Sequence, residues 1–143
     1  MSVIYQAEGI KIPAFQKRNI TSWIKAVTES YGKKIGEIAY IFCSDEKMLE
    51  INRQYLQHDY DTDIITFDYT EGDKISGDIF ISPNTVKINA ESYRTDYEEE
   101  LQRVIIHGIL HLCGMNDKES GEREIMEKAE NQALGLRKLI NLG

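Results

Sequence analysis

Apolar residues recur along this chain with two periods, close to 3.6 in some stretches and 2 in others, and the switches between them predict nine elements. Val3 to Tyr5 starts a short strand. Phe15, Ile20, Trp23, Ile24 and Val27 form the buried stripe of a helix over 15–31, with Trp23 read as a core residue and Gly32 at its end. The continuous apolar run over 37–43 is typical of a strand inside a sheet. Ser44 or Asp45 can cap a helix over 46–55. A polar loop over 56–62 carries His58, Asp59 and Asp61, with Asp63 beside it. Residues 64–69 and 75–82 read as a hairpin joined by Glu71-Gly72-Asp73-Lys74. Gly77-Asp78 inside its second strand suggests a sheet edge or a close backbone approach. Pro83 opens a helix that runs to about Tyr93. A second helix runs from Tyr97 or Glu98 to Cys113, and a last one over 119–134 extends towards Ile140 unless Gly135 breaks it.

The order β-α-β-α-β-β-α-α-α predicts an α+β fold with one mixed sheet of about four strands. A β-α-β start implies parallel strands with a right-handed crossover, and the hairpin is antiparallel. A length of 143 residues suits one domain spanning 1–143. With 41% hydrophobic and 29% charged residues the composition is that of a soluble globular protein. No apolar run reaches membrane-spanning length, and the first residues lack the pattern of a secretion signal. The two cysteines, Cys43 and Cys113, are far apart and form no C-x-x-C motif. The cytoplasm is the expected location. A formal net charge of -7 excludes indiscriminate coating of nucleic acid, although a local basic groove remains compatible with it.

The chemistry concentrates in the helix that ends at Cys113. From Val104 onwards it is apolar except for His107 and His111, which are two of the chain's three histidines. Four residues apart, they share one helix face and can hold one metal ion. Gly114 can take the left-handed conformation that stops a helix, and Met115-Asn116 can then turn Asp117 back towards the two rings. Two nitrogens and one oxygen from protein, with one position left for water, is a catalytic zinc pattern. Two other readings stand beside it. The histidines could be satisfied packing residues at the rim of a core helix. Asn116 and Glu119 also have capping-box spacing, in which case Asp117 supplies first-turn charge to the next helix.

A protease helix of H-E-x-x-H type has a general-base glutamate after its first histidine. Here that position is Gly108, which leaves room for substrate or for a packed segment. Metal-assisted attack on a phosphodiester is the other use of such a site, and it needs cations around the phosphate. Arg103, four residues before His107, is the first candidate; its alternative is a surface pair with Glu99 or Glu100. Arg53 is the second, with plain exposure as its alternative. No residue stands out as the general base.

At these residues the chain resembles the YbeY family of metal-dependent endoribonucleases, whose signature is H-G-x-L-H-L-x-G-x-D-H. The matching residues run from His107-Gly108-Ile109-Leu110-His111 to Asp117. Asn52-Arg53-Gln54-Tyr55, Asp59, Thr62-Asp63-Ile64-Ile65-Thr66-Phe67 and Gly77-Asp78-Ile79 resemble further family segments in the same order. The resemblance implies a zincin-like arrangement with the metal site on a long helix. It also implies an enzyme that cuts single-stranded ribosomal RNA, acts on the small ribosomal subunit in 3'-end maturation and quality control, and uses one divalent ion, zinc above all. Asp117 stands where the family has its third histidine, which admits manganese or another hard ion. Leu56 stands where the family has an arginine. Asp63 and Asp78 are expected to organise the wall beside the metal helix. The competing functions are another metallohydrolase, such as a peptidase, and a ribosome-associated binding protein with a structural or vestigial metal.

Overall fold

A computed structural model describes residues 2–56 and 62–142. The strands are β1 (Ser2–Glu8), β2 (Lys34–Cys43), β3 (Ile64–Asp68) and β4 (Lys74–Ile81). The helices are α1 (Lys17–Ser30), α2 (Asp45–Ile51), α3 (Pro83–Tyr93), α4 (Tyr97–Leu112) and α5 (Glu122–Leu142), and a π-helical turn, Asn52–Leu56, follows α2. The four strands lie in the order β1-β2-β4-β3. β1, β2 and β4 run parallel, and β3 is antiparallel to β4. The α+β mixed sheet predicted from the patterning is therefore the fold.

One face of the sheet carries the main core. Ile38, Tyr40 and Phe42 of β2 and Ile75, Ile79 and Ile81 of β4 meet side chains from α1, α3, α4 and α5. A smaller cluster on the other face joins Cys43 and Ile65 to Met48 and Ile51 of α2. β2 is thus buried on both faces, which is why its sequence reads as an unbroken apolar run. Two polar contacts pin the layers together. The Tyr40 hydroxyl donates to the Ile105 carbonyl at 2.8 Å, and the Trp23 indole donates to the Ala133 carbonyl at 2.8 Å. Trp23 is fully buried, as expected of a core residue.

Several boundaries differ from the sequence reading, for local reasons. β1 continues to Glu8 because Tyr5 and Ala7 keep up its inward alternation. Phe15 precedes α1 and packs on Tyr5 and Phe42, with ring centroids 5.2 and 5.7 Å away. The helix expected over 46–55 divides into α2 and the π turn, which buries Asn52 and leaves Arg53 exposed. Ser44 caps α2 by accepting from the Lys47 amide at 3.2 Å. Ser82 likewise caps α3, with Pro83 at its first position. α5 runs through Gly135 without a break. His58, Asp59 and Asp61 lie outside the described residues.

Candidate metal centre

α4 is buried almost all the way round. Leu101, Val104, Ile105, Ile106, Gly108, Ile109, Leu110 and Leu112 are closed off from solvent, and Arg103, His107 and His111 form a partly open stripe between them. Each fully buried Leu or Ile contributes about 1.5–3 kcal/mol relative to exposure, so the stripe is held by the packing around it. It faces a cleft of about 960 Å³, lined from β3 by Thr66 and Asp68, from the preceding loop by Asp63, and from α5 by Met126, Glu127 and Glu130.

Gly108 is where α4 touches the sheet. A Cβ built there would lie 3.0–3.3 Å from methyl carbons of Ile79 and Ile64. Of the two uses the sequence left open for this glycine, the structure realises the packed segment. Gly77 serves the same contact from the other side, since a Cβ there would meet the Phe67 carbonyl and the Leu112 side chain. With Gly77 and Ile79 turned towards α4, the alternation of β4 turns Asp78 to the opposite face. There it accepts from the Tyr69 hydroxyl at 3.4 Å. The expectation that Asp78 builds the wall beside the metal helix is therefore corrected, whereas Asp63 does line the cleft.

α4 stops as its sequence suggests. Gly114 has φ +104°, its amide donates to the His111 carbonyl at 3.0 Å, and the Met115 amide donates to the Leu110 carbonyl at 3.1 Å. This is a Schellman motif. The reversal carries Asp117 back over the histidines. Its Oδ2 lies 3.2 Å from His107 Nε2, and its Oδ1 lies 3.6 Å from His111 Nε2. One ligand atom from each of His107, His111 and Asp117 falls within 4.8 Å of the others. This donor set of two imidazole nitrogens and a carboxylate oxygen can hold a divalent ion. The alternative capping box between Asn116 and Glu119 is not formed among the described residues: the Glu119 amide donates instead to Glu122 Oε1 at 3.0 Å, and α5 begins only at Glu122. The turn that holds Asp117 is thus longer and separate from the helix.

Sequence reasoning missed Glu130, whose Oε2 lies 2.6 Å from His107 Nδ1. Burial alone would lower the His107 pKa, but the hydrogen bond and charge of Glu130, helped by Asp117 and Asp63, raise it above the ordinary value. His111 is lowered, first by burial and then by the charges of His107 and Lys118, against the pull of Asp117 and Asp68. Burial raises the Asp63 carboxyl, with His107 opposing.

The two arginines have different settings. Arg103 lines the cleft, and its guanidinium is engaged by Glu130 Oε1 at 3.0 Å and Asn131 Oδ1 at 2.7 Å, not by Glu99 or Glu100. Arg53 is exposed and does not line the cleft. Lys118 and Arg123 line it from the turn and the first turn of α5, and both are exposed.

Comparison with known proteins adds to this geometry. The family model "Endoribonuclease YbeY" matches residues 3–137. The chain belongs to the YbeY family. An endoribonuclease YbeY of Bacteroides fragilis is 70% identical over 138 residues, covering 96% of this chain and 99% of that protein. The YbeY of Parabacteroides distasonis is 69% identical over 136 residues, covering 95% and 96%. The solution structure of TM1509 from Thermotoga maritima matches with a TM-score of 0.65 at 25% identity, covering 96% of this chain and 92% of that one. The family match thus spans the metal helix, the turn to Asp117 and most of α5, where Glu130 sits.

Proposed function

We propose that this protein is a metal-dependent endoribonuclease that cuts single-stranded RNA in the 3'-end maturation of small-subunit ribosomal RNA and in ribosome quality control. The observation that carries the reading is the convergence of His107 Nε2, His111 Nε2 and an Asp117 carboxylate oxygen in an open cleft of a YbeY-family chain. These three residues are the ligands we assign. Zinc suits two imidazoles and a carboxylate, and the carboxylate in place of a third histidine also admits manganese. When bound, the ion would supply Lewis acidity towards the phosphodiester and lower the pKa of the attacking water.

The chain's own residues do the rest. The packed α4 presents both imidazoles on one face, and the Schellman turn brings Asp117 back to them. Lys118 and Arg123, which have no ion pair among the described residues, offer positive charge to an RNA backbone entering the cleft. Gly108 is occupied in packing, so a proton acceptor of the kind used in an H-E-x-x-H protease has no place after His107. This favours RNA over peptide as substrate. Among the described residues no helix is long and apolar enough to cross a membrane, which is compatible with work at the small ribosomal subunit in the cytoplasm.

The test compares unstructured RNA, duplex RNA and an unfolded peptide as substrates for the native protein and for His111→Ala, with zinc and manganese supplied separately. Cleavage of unstructured RNA that needs metal and disappears in the variant is expected. Peptide cleavage alone would move the assignment to a protease. RNA cutting fully retained by metal-free His111→Ala would place the active site elsewhere.

A further inference from the structure

We propose that Glu130 and Arg103 are positioning residues of the metal site: Glu130 fixes the tautomer and direction of His107, and Arg103 fixes Glu130. The inference rests on His107 being a metal ligand. One carboxylate of α5 bridges two residues of α4, Oε2 meeting His107 Nδ1 at 2.6 Å and Oε1 meeting Arg103 Nη1 at 3.0 Å. Arg103 and His107 are four residues apart, so both reach the same carboxylate from one helix face. A neutral imidazole carries one N–H and one lone pair. An acceptor at Nδ1 puts the proton there and leaves the lone pair on Nε2, the atom that faces Asp117 at 3.2 Å.

The carboxylate is built into its place. Glu130 is 8% exposed and falls between the core residues Met126, Ala129, Ala133 and Leu134 of α5. The next turn of that helix is pinned by the hydrogen bond from Trp23 to the Ala133 carbonyl. A buried carboxylate needs a partner of opposite charge and good geometry, and Arg103 supplies it, with Asn131 steadying the second guanidinium nitrogen at 2.7 Å. The Arg103 charge is thereby spent inside the protein and is not offered to an RNA phosphate. His111 has no comparable support, because its Nδ1 has no hydrogen-bond partner among the described residues. His107 is the anchored ligand of the pair and His111 the adaptable one.

The experiment uses the full chain stripped of metal, with zinc affinity read by chelator competition and cobalt binding read by its visible absorption spectrum. Binding of the metal-free protein to an unstructured oligoribonucleotide is measured in parallel, and melting of each metal-free variant checks its fold. Glu130→Gln is expected to weaken zinc about 10–100-fold and to change the cobalt spectrum. Arg103→Met is expected to weaken zinc less, to add nothing on top of Glu130→Gln, and to leave oligonucleotide affinity unchanged. The partly open Arg103 position keeps the test usable if Glu130→Gln folds poorly. Zinc affinity within twofold of native in Glu130→Gln, or in Arg103→Met where only that variant folds, overturns the proposal while the metal site stands, provided His111→Ala loses zinc. Loss of oligonucleotide binding in Arg103→Met, with zinc affinity intact, would return Arg103 to phosphate contact. If His111→Ala keeps native zinc affinity, the metal-site reading and this inference fall together.

Discussion

Asp117 and Glu100 show at the scale of single residues how chemistry follows placement. Asp117, which the sequence resemblance sets at the position of the family's third histidine, is held against both rings by the Schellman turn. A hard oxygen in place of an imidazole widens the range of acceptable ions. Asp117→His should therefore raise selectivity for zinc over manganese, checked by competition binding of the two ions to metal-free protein. An unchanged ratio would show that Asp117 does not set the preference. Glu100 is a buried carboxyl lining the cleft, and burial raises its pKa from the ordinary glutamate value, with Arg103 opposing. A carboxyl raised in the folded state binds its proton more tightly there than in the unfolded chain. Its contribution to stability is best below the unfolded pKa and declines as pH rises through the folded value. Glu100→Gln removes that loss. Metal-free Glu100→Gln should melt higher than the native protein at pH 8, with the gain shrinking towards pH 4. A gain that grew towards acid would reverse the sign of the argument.

At the scale of elements, α4 was legible because its pattern has few solutions. From Val104 on, a helix apolar on nearly every side and interrupted only at 107 and 111 must be buried, with those two positions and Arg103 one turn before them facing a cleft. Gly114 and Pro83 were legible for the same reason, since each does something few residues can do at that position, and Ser44 was one of two cap candidates for α2. Glu130 was not, because it lies 23 residues beyond His107 in the largely polar run Glu127-Lys128-Ala129-Glu130-Asn131-Gln132, so it reads as part of a solvated face. A signal was present all the same. Met126, Ala129, Ala133 and Leu134 form the buried stripe of α5, and Glu130 falls inside it, where a charged residue needs a partner. The face of Asp78 was missed because the register of β4 against α4 is a tertiary fact, set by the glycine at 77. Gly108 carries the element-scale prediction. Gly108→Glu would write the protease motif into α4 while driving a carboxylate against Ile64 and Ile79. It should cost about 3–5 kcal/mol in denaturant unfolding and yield no peptidase activity. A stable variant that cleaves peptide would contradict the packing described for α4.

At the scale of the whole molecule, a net charge of -7 surrounds a cleft that has to accept a polyanion. General electrostatic attraction is therefore a poor source of affinity, and recognition falls to the cations and the ion within the cleft. The α+β fold makes this workable by placing the histidines on a helix packed on several sides, and Asp117 on a turn tied to its end. One divalent ion bound per chain at His107, His111 and Asp117, with RNA cleavage depending on it, is the central proposal. The most direct measurement titrates zinc or manganese into metal-free protein and follows bound ion and cleavage of unstructured RNA in the same samples. Cleavage should rise in proportion to bound ion and level off at one ion per chain. Full cleavage with no ion bound, or cleavage that appears only after further ions bind beyond the first, would contradict it.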